Sequence, residues 1–301
     1  MKRIENIAKL KAAGAKLGPW HMDVELRDGL RTASLDVNSD HSKSPSFRDP
    51  AKHMRDVVKK VYGDKGLEGR SFLDIACNAG GNSFGAKDYG AGRVFGFDVR
   101  DHWINQANFI RHNRDADSSD MNFEVLDLYD FPNKGDDMYD ISWFSGIFYH
   151  LPDPVRGLQV IADKTSELLY VSTATSVITD PEPENGCLHA AYEGTDYVMT
   201  GVYGLNWFPS GPNCLRHIFK WLGFPESRVL YWRKRIQDPR RPNHEESVLG
   251  RIAMVAARDP KLLEHVTDVE PVEVIKRDIG KQRKAWIEEG HEAGKTFTPK
   301  A

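Results

Sequence analysis

Cysteine is scarce in this chain, and the little there is does not pair. Cys77, Cys187 and Cys214 are the 3 present, scattered and without a CxxC couple. Neither a disulfide framework nor a cysteine-held zinc site is indicated, and no metal is expected. Long apolar runs are missing too. No stretch reaches the roughly 18 residues of a membrane span, and the basic N-terminus lacks the apolar core of a secretion signal. No membrane association is expected, and a reducing cytoplasm is the expected setting. Charge of one sign is also lacking: 41 Lys and Arg face 44 Asp and Glu, for a net −3. That argues against a broad basic surface for nucleic acid and leaves only a local basic patch open. Two phosphate signatures are absent as well, since the chain has no good GxGxxG match in its glycine-rich turn and no Lys-Ser/Thr pair following it.

What is present describes a globular protein. Hydrophobic residues make up 40% and charged residues 28% of 301, enough for a substantial core. The length is large for one domain and short for two. The stretch Ser71–Arg100, SFLDIACNAGGNSFGAKDYGAGRVFGFDVR, reads as strand, tight turn, helix and second strand. Phe72, Leu73 and Ile75 form an apolar run of the kind buried on both faces of a parallel sheet. Ala76 to Gly81 supplies small residues where the backbone must turn, and Arg93 to Phe97 is a strand ending at Asp98. Such a βαβ unit predicts a nucleoside site at the carboxyl ends of its strands.

The surrounding chain predicts an α/β, doubly wound, Rossmann-like sheet of seven strands with an antiparallel terminal hairpin. Residues 1–62 read as a helix with Ile4, Ile7, Ala8 and Leu10 on its apolar side, a hairpin flap turning at Asp28-Gly29, and a second helix burying Met54, Val57, Val58 and Val61. Residues 63–258 form the cofactor domain. Within it, 173–207 is an irregular, aromatic-rich segment with Tyr192, Tyr197, Tyr203 and Trp207, long enough to be a substrate lid. Residues 259–301 form a tail with Val272, Ile275, Ile279 and Trp286 near helical spacing. The N-terminal helix and this tail are natural elements for a homodimer.

The turn suits a cofactor without phosphates, because its glycine positions read Ala76, Asn78 and Gly81. Asp98 is placed to accept hydrogen bonds from both ribose hydroxyls, and Asp127, at the end of the third strand, to receive an adenine amine. Asp74 would anchor the turn and attract a cationic amino group. A nucleoside with an ammonium and no phosphate describes S-adenosylmethionine (SAM).

On these residues the chain resembles the class I SAM-dependent methyltransferases, and within them the tRNA wobble-uridine carboxymethyltransferase-like group. LDIACNAGG stands where that group has an LDVGCGxG-type turn, and Phe95-Gly-Phe-Asp98 stands at its GID-type strand end. Phe144 to Pro154, FSGIFYHLPDP, and Asn206-Trp-Phe-Pro-Ser210 followed by Leu215 and Gly223-Phe224 resemble two more specific segments. The likeness covers roughly residues 45–235. It implies a cofactor site of Asp74, Ala76, Cys77, Asn78, Gly80, Asp98, Val99, Asp127, Leu128 and Ser145. The group's Trp and Lys contacts to a carboxylated cofactor align with Phe47 and Lys52; only the lysine matches, so ordinary SAM is expected. Asn78 adopts positive φ more readily than most residues, which keeps the altered turn feasible.

Methyl transfer needs alignment of the acceptor and exclusion of water, and a base only where the acceptor must lose a proton. Tyr149 and His150 are the candidate catalytic pair, His150 as base or orienting group. Trp20, His21, Tyr192, Tyr203 and Trp207 are candidates for the wall of the acceptor pocket, since aromatic faces suit a sulfonium. Arg31 or Arg216 is a candidate for an acceptor carboxylate. Each has a plainer reading: packed aromatics, solvated cations, and a small buried residue in Cys77. The expected function is methylation of a small polar metabolite, an amino acid first, with methionine sulfur one specific form. A tRNA-modifying enzyme and a non-catalytic SAM-binding module are the alternatives.

Overall fold

The computed structural model describes residues 3–35, 48–176, 182–194, 200–236 and 250–275. Helix α1 (Ile7–Ala15) and helix α2 (Lys52–Tyr62) precede the alternating part of the chain. There β1 (Ser71–Ile75), α3 (Gly81–Asp88), β2 (Arg93–Asp98), α4 (Asp101–Asn113), β3 (Met121–Val125), β4 (Tyr139–Ser145), α5 (Pro154–Ala162) and β5 (Thr165–Thr175) follow in turn. Strands β6 (Leu188–Tyr192) and β7 (Leu205–Pro209), helix α6 (Pro212–Trp221), and strands β8 (Glu226–Ile236), β9 (Gly250–Ala257) and β10 (Val272–Ile275) complete the order.

The main sheet runs β10-β8-β9-β5-β4-β1-β2-β3. Strands β1, β2 and β3 pair in parallel. Strand β9 is antiparallel to both β5 and β8. The seven expected strands are therefore present, with the terminal pair antiparallel as the polar connection between them predicted. The order reverses beside β1, and in sheets of this kind ligands bind at the carboxyl ends near that reversal.

The described residues fall into two compact units: those up to Gly135 with Tyr139–Ile141, and those from Ser142 onward with Asp136–Met138. In the first, Phe72, Leu73, Ile75, Val94 and Phe97 are buried, as continuous apolar strands require. Phe97 and Phe131 stack at 5.1 Å, and the carboxylate of Asp140 accepts both the N–H and the hydroxyl of Ser71 at 2.8 Å. Helix α2 buries the four residues its spacing predicted, Met54, Val57, Val58 and Val61, worth about 1.5–3 kcal/mol each. In the second unit, Trp143 of β4 stacks on Tyr170 of β5 at 3.5 Å. Among the described residues no helix is long and apolar enough to cross a membrane.

Four expectations are corrected. Helix α1 buries Leu10 and Gly14, while Ile4 and Ile7 stay half-exposed and Ala8 exposed. Around Asp28 and Gly29 (φ 53° and 69°) there is a tight turn, but its strands shrink to a single bridge between Glu25 and Arg31. The Thr32 hydroxyl there accepts the N–H of Val24 and donates to the carbonyl of Met22, displacing a longer ladder. The segment 173–207 is less irregular than expected: Thr173–Thr175 finish β5, and β6 and β7 form an antiparallel pair rich in aromatic residues that favour strands. Val272 and Ile275 lie in β10, a strand parallel to β8, and not in a helix. Ile279 and Trp286 lie outside the described residues, as does Tyr197.

Candidate active site

In the first unit the turn after β1 carries the chemistry. Ala76 and Asn78 both take φ 53°, and Gly80 takes φ 83°. For Ala76 this left-handed conformation costs about 1–2 kcal/mol, which glycine at that position would not incur. The turn is held by hydrogen bonds: Cys77 N–H donates to the Phe97 carbonyl at 2.9 Å, and Gly80 N–H to the Cys77 carbonyl at 2.9 Å. The Asn78 side chain accepts the N–H of Ala79 at 2.7 Å, which steadies its unusual φ. Gly80 has no room for a side chain, since a Cβ would lie 2.9 Å from the Phe123 ring.

Two carboxylates flank this turn. Asp98 accepts the N–H of Asn78 at 3.1 Å and the N–H of Arg100 at 3.0 Å. Burial pushes its carboxyl above the ordinary range, against those two backbone donors and the Arg100 charge. Asp74 accepts the Ser83 hydroxyl at 2.6 Å. Burial raises its carboxyl to about 7, with the Asp98 charge adding to the shift and the Ser83 hydrogen bonds opposing it. Burial and these two acids push the Cys77 thiol up as well, so it is a small buried residue and no nucleophile. Asp127 caps the short 3-10 turn Leu128–Lys134 by accepting the Tyr129 N–H at 2.9 Å; Leu128 is buried and Val99 half-buried.

The predicted flap residues have other duties. Trp20 is fully buried, donates its indole N–H to the Gly14 carbonyl at 2.9 Å and packs on Phe109. It belongs to the core and not to a pocket wall. His21 sits edge-on to Trp103 at 4.8 Å. Arg31 is held by Asp23 at 2.8 Å and Glu25 at 3.4 Å, and Lys52 by Asp56 at 2.7 Å, so neither is poised for a ligand carboxylate. Phe47 lies outside the described residues.

In the second unit Ser145 ends β4, and Phe148–His150 form one 3-10 turn beyond it. The Tyr149 ring lies 4.0 Å from that of His150, and its hydroxyl accepts a hydrogen bond from Arg251 of β9 at 3.3 Å. Burial raises the Tyr149 phenol, with the Arg251 charge opposing and Glu193 adding, which keeps it protonated. His150 Nδ1 lies 2.8 Å from Glu193 Oε1 and 2.9 Å from Oε2. With the Asn206 amide oriented by its neighbours, its nitrogen donates to Glu193 Oε2 at 2.8 Å and to the Tyr149 carbonyl at 2.7 Å. A Cβ on Gly201 would come within 2.5 Å of Glu193 Oε2 and 2.9 Å of His150 Cβ, so the pair leaves no room for a side chain at this position.

Glu193, Gly201 and Arg251 escaped sequence reading. Asn206 stood in a recognised segment but without a role. The Trp207 indole donates to the Pro152 carbonyl at 3.1 Å, fixing β7 to the turn after His150. Tyr203 is half-buried, whereas Tyr192 is 87% exposed among the described residues. Arg216 is paired with Asp268 at 2.7 Å and is not free to meet an acceptor.

Comparisons with known proteins agree with this geometry. The family model described as "Methyltransferase domain" matches residues 67–221, just over half the chain. The tRNA U34 carboxymethyltransferase of Campylobacter hominis is 32% identical over 93 residues, and that match spans 31% of this chain and 31% of the relative, well under two thirds of its length. The crystal structure of the N-terminal domain of EvdMO1, in the presence of SAH and D-fucose, superposes with a TM-score of 0.63 at 18% identity, over 85% of this chain and 97% of that one. The same domain with SAH bound gives 0.62 at 17% identity, over 84% and 98%. At such identity these structures speak for the fold. Family match, strand order and acidic strand ends together show that the chain belongs to the methyltransferase-domain family, as a class I SAM-dependent methyltransferase.

Proposed function

We propose that this methyltransferase passes the methyl group of SAM to a small polar acceptor. The observation that carries the cofactor half is the pair of buried carboxylates, Asp74 and Asp98, beside a turn with no phosphate signature. Buried acids with raised pKa values welcome a cation and hydroxyl donors and repel a pyrophosphate. Asp98 would hold the ribose hydroxyls, Asp74 would face the cationic amino end, and Asp127 with Leu128 would border the adenine. The cofactor, when bound, supplies a methyl group already activated by its sulfonium. The chain's own task is then to bind, align and keep water away. Tyr149, protonated and hydrogen-bonded to Arg251, orients an acceptor and does not take its proton.

The amino-acid reading loses its expected carboxylate partners, because Arg31 and Arg216 are both engaged by acidic side chains. A small polar acceptor is therefore proposed without that refinement. The partial match to a tRNA-modifying enzyme favours a second reading, tRNA as acceptor. Incubation of the protein with methyl-labelled SAM and either a small-molecule metabolite pool or bulk tRNA, followed by mass spectrometry, separates the two. Label in a small molecule is expected; label in tRNA, with salt-dependent tRNA binding, would favour the second.

A further inference from the structure

Glu193 is a carboxylate that the second unit has gone to some trouble to bury. Its side chain is 7% exposed, yet among the described residues its side-chain partners are neutral or titratable: Nδ1 of His150 at 2.8 Å and the Asn206 amide at 2.8 Å. Burying a carboxylate is costly, and an amide or hydroxyl would tie the same loop to the same turn. What the charge adds is its action on the imidazole. A carboxylate at Nδ1 selects the tautomer with the proton on Nδ1 and leaves Nε2 bare to accept a proton. Among the described residues Nε2 has no hydrogen-bond partner, and the His150 side chain keeps 16% of its exposure. Asn206 holds Glu193 in this arrangement, and the bare backbone of Gly201 leaves room for the pair.

We propose that Glu193 is a positioning residue that sets His150 as a general base, and that the acceptor is consequently a proton-bearing oxygen or nitrogen and not a thioether. The inference rests on the methyl-transfer reading above and narrows its substrate class. In the step it implies, a bond forms from the acceptor oxygen or nitrogen to the methyl carbon as the sulfur–methyl bond breaks. The bonding pair stays on sulfur, and the acceptor proton goes to His150 Nε2 and then to solvent. A thioether carries no such proton, and a dyad of this kind would be idle beside it.

The test begins with the ring itself. In protein labelled with 15N at histidine, the His150 signals are those lost in His150→Asn. In the neutral ring, a protonated Nδ1 and a bare Nε2 are expected. Among the described residues, the charged and titratable groups facing the ring are Glu193, just after β6, and Tyr149 beside it, with Arg251 of β9 on the Tyr149 oxygen. Of these only the Glu193 charge is removed in Glu193→Gln, so the preference for the Nδ1 proton should weaken in that variant and return in Glu193→Asp. A proton on Nε2 instead, or a tautomer preference unmoved by Glu193→Gln, would overturn the proposal. The second readout uses the labelled-methyl reaction. Glu193→Gln should lower kcat by roughly tenfold or more at unchanged SAM affinity, with the product's methyl on oxygen or nitrogen. A methyl on sulfur would overturn the proposal while leaving methyl transfer intact. Failure of the unaltered protein to bind SAM would sink methyl transfer itself, whatever the tautomer.

Discussion

Asp98 Oδ2 accepts the backbone N–H of Asn78 at 3.1 Å, so the end of one strand fixes the turn that follows its neighbour. The same carboxylate takes the N–H of Arg100 and is the proposed seat of the ribose. Asp98→Ala removes both functions together. Each orphaned donor costs about 1–3 kcal/mol if it stays buried. The variant is expected to lose SAM binding by calorimetry, at least a hundredfold, with a lowered melting temperature. An unchanged affinity would remove Asp98 from the cofactor site.

Ala76 offers the opposite case, a residue in a conformation its side chain resists. Its φ of 53° places the Cβ against the following carbonyl. Ala76→Gly relieves that strain and loses some of the gain to a more flexible unfolded chain. A net stabilisation of about 0.5–1 kcal/mol is expected in chemical denaturation. Asn78→Gly should gain less, because Asn78 tolerates the same φ and its side chain accepts the Ala79 N–H.

The raised carboxyl of Asp74 predicts a pH dependence of definite sign. In the folded protein the group holds its proton up to about pH 7, whereas the unfolded chain releases it near 3.8. The stability it contributes is therefore present in full below pH 3.8 and is lost as pH rises through 7. A bound cation reverses the preference, since it favours the ionised acid. SAM affinity should rise between pH 6 and 8, and binding at pH 6 should release protons, visible as a buffer-dependent heat. Asp74→Asn should abolish the release.

Gly85 tests the seating of α2 on α3. A Cβ there would lie 2.1 Å from the Cβ of Ala51, nearer than any real contact. Gly85→Ala forces the two helices apart and is expected to destabilise by about 1–3 kcal/mol in denaturant unfolding. A helix-propensity gain with unchanged packing would show instead as a small stabilisation.

The parts legible in the sequence were those written in local patterns. Phe72-Leu73-Ile75, the Met54–Val61 stripe and the Asp28-Gly29 turn each follow from periodicity or from φ preference within a few residues. Asp74 and Asp98 stand out in the sequence as acids at the ends of apolar strands, the place where such sheets gather ligands. The misreadings concern side chains whose partners are distant. Trp20 reads as a pocket aromatic from its neighbours in sequence, whereas its partners Gly14 and Phe109 bind it into the core. Arg216 looked available, but Asp268, 52 residues on, holds it. Glu193 lies 43 residues from His150, and the two meet through a loop closure that no spacing rule announces. Asp74's raised pKa likewise depends on a burial that is visible only once the sheet is assembled.

One measurement bears on the whole reading: the fate of an isotopically labelled methyl group when SAM, the protein and a small-molecule metabolite pool are incubated together. Mass spectrometry should find S-adenosylhomocysteine accumulating in step with one labelled small polar product, and neither should form with Asp98→Ala. SAM that binds yet stays intact against both the metabolite pool and tRNA would contradict catalysis and leave a binding module in its place.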